Sequence, residues 1–276
     1  AQCGTGRAGF AFTLEHWNLY DASPAWRAVT TGTKEEKLAK MQDPELRRAL
    51  IDEAEEADRR LRAIQAGVGG NPKGLIIQGV NRQPDLQQYV GRSVGDIAEA
   101  EGKHHIEVML DLSLAGDLNV EFLGPDKGSN AEYMAEMMHN PHAIPGVSDG
   151  GAHTKFFTGG AYTTDFLTWL VRDEGVVTLE EAHYRLSNLP ARAAGFQDRG
   201  TLEVDKAADI VVYDMEELAI DPPWIGEAVH DLPGGEWRRV QRAKGYDKII
   251  VNGQVTFDDG ECTEATPGLL LRNGSS

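Results

Sequence analysis

The sequence predicts an α/β fold that is followed by a smaller β-rich domain. Short apolar runs alternate with longer amphipathic segments over most of the 276 residues, and this alternation is typical of α/β proteins. After about residue 197 the helical pattern stops, and short β-branched runs separated by glycine and asparagine follow. We therefore predict two domains, residues 1–197 and residues 198–276.

Capping signals place the helices of the first domain. Thr33 and Glu36 have the spacing of a reciprocal capping box, in which each side chain accepts a hydrogen bond from the other's backbone N–H. The run Leu75–Ile77, which follows a glycine-rich break, predicts a buried strand. The residues predicted to begin successive helices are Thr33, Asp43, Ser93, Ser129 and Thr178.

The stretch AIPGVSDGGAHTKFFTGG, residues 143–160, combines a strand with polar residues. The apolar run Ala143–Val147 predicts a short buried strand, and Asp149, Gly150–Gly151 and His153 follow it directly. Aspartate and glycine are ordinary turn residues, so a simple strand-to-loop turn is one interpretation. The other is a catalytic aspartate at the end of a strand.

The last third of the chain carries strong strand signals. Ile210–Tyr213 is predicted to be a buried strand. The pair Asn252–Gly253 stands between two β-branched runs, which is the usual sequence of a tight hairpin.

Charge and composition exclude several classes of partner. The net charge is −17 and the isoelectric point about 4.8, so the surface repels nucleic acid and anionic membranes. No apolar run approaches the ~18 residues of a membrane span. Cys3 and Cys262 do not form a disulfide framework. We predict a cytoplasmic protein that binds neither nucleic acid nor membrane.

Four motifs in order carry a family resemblance. Asp149–Gly150 matches a Ser-Asp-Gly at the end of barrel strand 8, and Leu189–Gly195 matches the helix that follows. Ala207–Val211 matches the return to a β-sandwich, and Val251–Gly253 matches its closing hairpin. Together they resemble the C-terminal half of the amidohydrolase superfamily, with the N-acyl-D-amino-acid deacylases (D-aminoacylases) as the nearest branch.

The resemblance implies the C-terminal part of a (β/α)₈ TIM-like barrel joined to a small β-sandwich. Gln2–Cys3 fits the end of the seventh barrel strand. The family's His-x-His metal pair does not occur in this sequence. We therefore expect a C-terminal fragment of a longer enzyme, which lacks most of the metal ligands.

The resemblance also implies roles for individual residues. Asp149 would bind or abut a divalent metal, zinc or another, and would take a proton from the attacking water. The complete enzyme would hold this metal, whereas the chain alone is not expected to retain it. Gly150 and Gly151 would let substrate approach the backbone. His153 would hold the substrate carboxylate or steady Asp149, and Lys155 and Arg7 would pair with the substrate carboxylate. A loop hydrogen bond for His153 and surface ion pairs for Lys155 and Arg7 are the open alternatives.

The predicted function is metal-dependent hydrolysis of a non-peptide amide bond. The expected partner is a small N-acyl amino acid or a related amide, and we expect a homo-oligomer or association with a missing N-terminal half. Two alternatives stay open. One is a cyclic-amide hydrolase similar to dihydroorotase or hydantoinase, and the other is a non-catalytic remnant of the fold.

Overall fold

The computed structural model describes most of the chain. The described residues are 1–7, 9–61, 72–80, 83–124, 130–146, 148, 154–155, 159–221 and 226–272. Contacts divide the chain into two compact units. Unit 1 comprises residues 1–8 and 127–276, and unit 2 comprises residues 9–126. The boundary predicted near residue 197 lies inside unit 1 and stays a prediction.

The secondary structure is mixed, as the α/β prediction requires. The strands of the described residues are β1 Gln2–Gly4, β2 Phe10–Phe12, β3 Ile76–Gly79, β4 Glu121–Gly124, β5 Ile144–Gly146, β6 Ile210–Tyr213, β7 Ala219–Asp221, β8 Glu227–Val229, β9 Arg238–Val240, β10 Arg242–Lys244, β11 Tyr246–Val251, β12 Gln254–Asp258 and β13 Glu261–Cys262. The α-helices are α1 Pro24–Thr30, α2 Lys34–Gln42, α3 Pro44–Leu61, α4 Val94–Glu101, α5 His105–Ala115, α6 Ala131–His139, α7 Tyr162–Asp165, α8 Leu179–His183 and α9 Leu189–Ala193.

Shorter helical segments lie between these elements. Segments of 3₁₀-helix span Leu19–Ala22, Pro72–Gly74, Pro84–Tyr89 and Pro233–Gly235. Two segments are π-helical, Phe166–Asp173 and Tyr184–Asn188. In a π-helix each N–H bonds to the carbonyl five residues earlier, as the Glu174 N–H does to the Trp169 oxygen at 2.9 Å. None of the helices in the described parts of the chain is long and apolar enough to pass through a bilayer.

Unit 2 packs α1–α5 with a small antiparallel sheet. The strand order is β2-β4-β3, and Phe10 pairs with Gly124. Phe12, Ile77 and Phe122 point into its core and are nearly inaccessible to solvent. The strand predicted at Leu75–Ile77 is confirmed, displaced by one residue as β3. Barrel strands run parallel, so these three antiparallel strands are not successive strands of a barrel.

The helix caps follow the sequence signals closely. Thr33 Oγ1 accepts the Glu36 N–H at 3.3 Å, and the Glu36 carboxylate accepts the Thr33 N–H at 2.8 Å. This confirms the predicted capping box. The caps predicted at Asp43, Ser93 and Thr178 are confirmed as well.

The cap of α6 differs from the prediction. Asn130, whose side-chain oxygen accepts the Tyr133 N–H at 2.8 Å, caps the helix. Ser129 lies outside the described residues. The prediction was wrong by one position because serine and asparagine both favour the N-cap and stand next to each other here.

Residues on both sides of position 197 contribute to a hydrophobic core in unit 1. Met138, Phe166, Trp169 and Leu170 are buried in it together with Leu218. Hydrogen bonds also join helices α7 and α8 to strands β11 and β6. His183 Nε2 lies 2.8 Å from the Tyr213 hydroxyl, and Thr164 Oγ1 lies 2.8 Å from the Tyr246 hydroxyl. Burial raises the pKa of Tyr246 above its ordinary value.

The C-terminal strands of unit 1 form antiparallel sheets. The largest has the order β13-β12-β11-β6. Asn252 and Gly253 connect β11 to β12 with positive φ angles of 47° and 79°, which is the turn that this pair favours in a hairpin. The hairpin prediction is confirmed. The expected C-terminal part of a TIM-like barrel and the expected small β-sandwich stay predictions.

The burial predicted for Ile210–Tyr213 is wrong, although the strand is present. Val211 and Val212 are 52% and 41% exposed. The reason is that β6 is the edge strand of its sheet. Successive side chains point to opposite faces, so both faces are open to solvent at this edge.

Candidate active site

Two parallel strands define the edge at which the candidate site begins. β1 and β5 pair in parallel, with Gln2 opposite Ile144 and Gly4 opposite Gly146. The Ile144 N–H donates to the Ala1 carbonyl at 2.8 Å. Because the carboxyl ends of parallel strands meet at one edge, Gly4 and Gly146 end their strands on the same side of the sheet. This is the arrangement expected of neighbouring barrel strands.

Four of the predicted site residues cannot be placed at this edge. Asp149, Gly150, Gly151 and His153 lie outside the described residues. Asp149 follows the end of β5 by three positions in the sequence. The roles of these residues stay predictions.

The segment after β1 is tightly held. Thr5 is fully buried, and its Oγ1 has no hydrogen-bond partner among the described residues. A Cβ atom on Gly6 would lie 3.3 Å from the Cβ of Tyr162, so the absence of a side chain lets this segment approach α7 closely. Thr5 is a polar group at the strand edge that sequence reasoning did not single out.

Arg7 forms an ion pair with Asp165 at the end of α7. Its Nη2 and Nε lie 2.8 Å and 3.1 Å from Asp165 Oδ1, and its backbone N–H donates to Oδ2 at 2.7 Å. The guanidinium also lies over the Trp169 ring, 4.9 Å from its centroid. The Asp165 side chain is only 8% exposed. An ion pair was the open alternative for Arg7, and its substrate-binding role stays a prediction.

Lys155 also forms an ion pair. Its Nζ contacts the Glu236 carboxylate and lies 5.3 Å from the centroid of the Trp237 ring. The side chain remains one-third exposed. Its proposed contact with a substrate carboxylate stays a prediction.

A cleft of about 210 Å³ opens beside the Arg7–Asp165 pair. Its other polar lining groups include Thr168, Arg172 and Gln241. Arg172 Nη1 donates to the carbonyls of Met215 and Leu218 at 3.2 Å and 2.7 Å. The cleft is therefore framed by arginines that already have protein partners.

The described residues do not provide a metal centre. Across the ranges that the structure describes, no three His, Cys, Asp or Glu side chains lie close enough together to hold a metal ion. A tight zinc site normally needs three or four protein ligands. Zinc therefore does not fit the described residues by themselves, and the metal role of Asp149 stays a prediction.

Sequence reasoning missed the partners that hold the two basic residues. Asp165 and Trp169 stand one helical turn apart, which could have indicated a shared helix face. No sequence signal connects them to Arg7, which lies 158 positions earlier than Asp165. Likewise, no sequence signal connects Trp237 to Lys155.

Comparison with known proteins identifies the family. The sequence profile of the amidohydrolase family matches residues 1–257. This chain belongs to the amidohydrolase family.

Individual relatives match only part of the chain and at low sequence identity. The chain is 32% identical over 106 residues to the N-acyl-D-glutamate deacylase of Alcaligenes xylosoxydans xylosoxydans, covering 38% of this chain and 19% of that protein. It is 26% identical over 184 residues to the D-aminoacylase of the same organism, covering 66% and 34%. It is 32% identical over 135 residues to the dihydroorotase of Lactobacillus acidophilus, covering 44% and 29%. The chain thus spans between 19% and 34% of the length of these relatives.

Proposed function

We propose that this protein hydrolyses a non-peptide carbon–nitrogen bond in a small N-acyl-D-amino acid. The observation that carries the proposal is the match of residues 1–257 to the amidohydrolase family. The similarity to two deacylases of N-acyl-D-amino acids supports this substrate class. We also propose a cytoplasmic location and a homo-oligomer or association with further amidohydrolase chain.

The reaction consumes one water molecule. The water oxygen bonds to the amide carbonyl carbon, the carbon–nitrogen bond breaks, and the nitrogen leaves as an amine after taking a proton. We propose that Asp149 accepts the proton from water and passes it to the departing nitrogen. The parallel pairing of β1 with β5 supports this assignment, since catalytic groups of such folds gather after the carboxyl ends of the strands.

A divalent metal in the complete enzyme, zinc or another, remains part of the proposal from family resemblance alone. A bound metal would polarise the amide carbonyl and activate water. Because the described residues do not supply a ligand set, we derive no step of the reaction through it.

Cyclic-amide hydrolysis is the second candidate. It is favoured by the 32% identity to a dihydroorotase over 135 residues. Both candidates break a non-peptide carbon–nitrogen bond, so they differ in substrate and not in the type of reaction. The third alternative, a protein without catalytic activity, predicts no turnover of either substrate class.

The test compares substrates with the full-length gene product, purified with zinc supplied. N-acetyl-D-glutamate, N-acetyl-D-aspartate and N-acetyl-D-leucine represent the first class, their L-isomers provide the stereochemical control, and dihydroorotate represents the second. We expect release of the free D-amino acid. Turnover of dihydroorotate alone would favour the second candidate, and turnover of none would overturn both.

The role of Asp149 is tested with Asp149→Asn. Asparagine keeps the turn geometry but cannot accept the proton, so activity should fall about 10²–10⁴-fold. Asp221→Asn, which removes an exposed ion pair with Lys244, is the matched control and should retain full activity. An Asp149→Asn protein that keeps its thermal melt and more than about a tenth of the activity would make Asp149 a turn residue only.

A further inference from the structure

We propose that Glu236, Trp237 and Arg239 form a clamp that positions the segment carrying the catalytic aspartate. The clamp contacts Thr154 and Lys155, which follow Asp149 by five and six positions in the sequence. The catalytic part of this inference rests on the proposed function. The mechanical part, that the clamp holds Thr154–Lys155, stands on the contacts alone.

Arg239 contributes the hydrogen bonds of the clamp. Its backbone N–H donates to the Thr154 carbonyl at 2.7 Å, and its Nε donates to the Lys155 carbonyl at 2.8 Å. Nη1 donates to the Gly226 carbonyl at 3.3 Å. One residue thus satisfies two consecutive carbonyls of the segment and ties them to the start of its own hairpin. Carbonyls bound to a charged donor are held more strongly than those bound to a neutral one.

Trp237 and Glu236 hold the side chain of Lys155. The Lys155 ammonium lies 5.3 Å from the centroid of the Trp237 ring, and the Arg239 guanidinium lies 5.7 Å from the same ring. Both cations face an aromatic surface, which is attractive through the ring quadrupole. Glu236, whose side chain is 59% exposed, forms an ion pair with Lys155.

The clamp is carried by a short hairpin with its own internal bonds. β8 and β9 pair antiparallel, with Glu227 opposite Val240 and Val229 opposite Arg238. At the tip, the Leu232 N–H donates to the Glu236 carbonyl at 3.2 Å. Side chains alternate along a strand, so Trp237 and Arg239 share one face. Arg238 points the other way and pairs with Asp231 at 2.7 Å.

The chemistry explains why such a clamp would matter. A general base must lie within hydrogen-bond reach of the water that it activates. A displacement of about 1 Å can cost about a hundredfold in rate. Thr154 and Lys155 follow Asp149 by five and six positions, so holding them shortens the free chain that leads back to the proposed general base. Trp237 and Arg239 are therefore positioning residues and need not touch substrate.

The matched pair Arg239→Gln and Arg238→Gln tests the clamp. Both variants replace one arginine of the same strand by the same residue, and only Arg239 contacts the Thr154–Lys155 carbonyls through the hydrogen bonds above. Trypsin cleavage after Lys155 in the native full-length gene product should be about fivefold faster in Arg239→Gln, as expected for the loss of one hydrogen bond. Hydrogen exchange of peptides covering residues 148–160 should accelerate similarly, while both variants keep the wild-type melt. Arg238→Gln should leave both rates unchanged.

The same variants separate the clamp from the proposed function. In the hydrolysis assay, kcat of Arg239→Gln should fall about ten- to a hundredfold with KM changed less than about threefold, and Arg239→Lys should recover part of it. Unchanged proteolysis and exchange in Arg239→Gln would overturn the clamp whether or not the protein is an enzyme. Faster proteolysis with unchanged kcat would overturn the positioning role alone. If Arg239→Gln is cleaved faster than the wild type and the wild type itself shows no amidohydrolase activity, the clamp is supported and the proposed function is contradicted.

Discussion

The pairing of Arg7 with Asp165 fixes the segment that leaves β1. Asp165 accepts hydrogen bonds from both the backbone and the side chain of Arg7, so the carboxylate restrains the position and the direction of the arginine together. The guanidinium also lies over the Trp169 ring. A substrate carboxylate that used Arg7 would therefore have to share or displace Asp165.

The change Asp165→Asn measures this restraint. The change removes the negative charge that the partly buried Arg7 guanidinium contacts at 2.8 Å, and we expect a loss of about 2 kcal/mol in the free energy of unfolding. The measurement is the urea midpoint together with the slope of the transition.

Asp221→Asn is the matched control for Asp165→Asn. Its partner Lys244 is 64% exposed, and such surface pairs contribute less than about 1 kcal/mol. Equal losses in the two variants would show that burial and the second contact to the backbone add nothing to the Arg7–Asp165 pair.

For single residues, the sequence predicts which side chains could take part in a site better than it predicts which residues they contact. It singled out Arg7 and Lys155 because basic residues stood near predicted strand ends. It could not assign Asp165 or Glu236 to them, since these contacts join residues far apart in the chain and leave no periodic signal.

At the scale of secondary-structure elements, Gly245 and Gly253 are two turn positions at which the backbone conformation favours glycine. Gly245 has a φ of +84°, and a Cβ there would lie 2.6 Å from both the Glu217 carbonyl carbon and the Leu218 nitrogen. Gly253 has a similar φ of +79°, but its nearest contact would be the Ala208 Cβ at 4.0 Å. The two positions share a conformation and differ in free space.

We expect Gly245→Ala to destabilise unit 1 by about 3 kcal/mol, because the backbone of Glu217–Leu218 must move in addition to the cost of a left-handed alanine. Gly253→Ala carries only the conformational cost of about 1 kcal/mol. Chemical unfolding of both proteins provides the comparison. A Gly245→Ala protein no less stable than Gly253→Ala would show that the strands near Leu218 adjust without cost.

The sequence predicts those elements that depend on contacts between residues close together in the chain. The Asn252–Gly253 hairpin and the Thr33 cap depend on residues within one turn of each other. The sequence of the π-helical segment Phe166–Asp173 predicts an ordinary helix, because apolar spacing over two turns hardly distinguishes the two geometries. Its i→i+5 bond from Glu174 to Trp169 lies in a segment whose apolar side chains are buried in the core of unit 1.

For the whole molecule, the main feature is that unit 2 stands between β1 and β5 in the sequence. Its first and last strands, β2 and β4, pair with each other, and Phe10 is opposite Gly124. The two ends of unit 2 are therefore adjacent within its own sheet. A body of this kind can be inserted into another chain at a single site.

We predict that residues 9–126 fold when expressed alone. The segment contains its own buried core, including Leu50, Ile97, Ile106 and Met109. Circular dichroism should show the helices, and urea unfolding should be a single cooperative transition. A shorter polypeptide of residues 14–118, which lacks β2 and β4, should lose that transition. A non-cooperative profile for residues 9–126 would mean that unit 2 depends on unit 1.

The paired ends of unit 2 also bear on the order of folding. β1 and β5 must find each other across a separation such as the 141 positions between Ala1 and His142, and the entropy lost on closing a loop grows with the logarithm of its length. Once β2 has paired with β4, residues 9–126 are held in a folded unit. The flexible loop between β1 and β5 is then much shorter. An effective loop about five times shorter lowers the cost of closure by ~1.4 kcal/mol, close to a tenfold gain in the equilibrium for pairing. A chain in which unit 2 folds first therefore reaches the parallel pair, and with it the edge of the candidate active site, more readily than one in which it folds last.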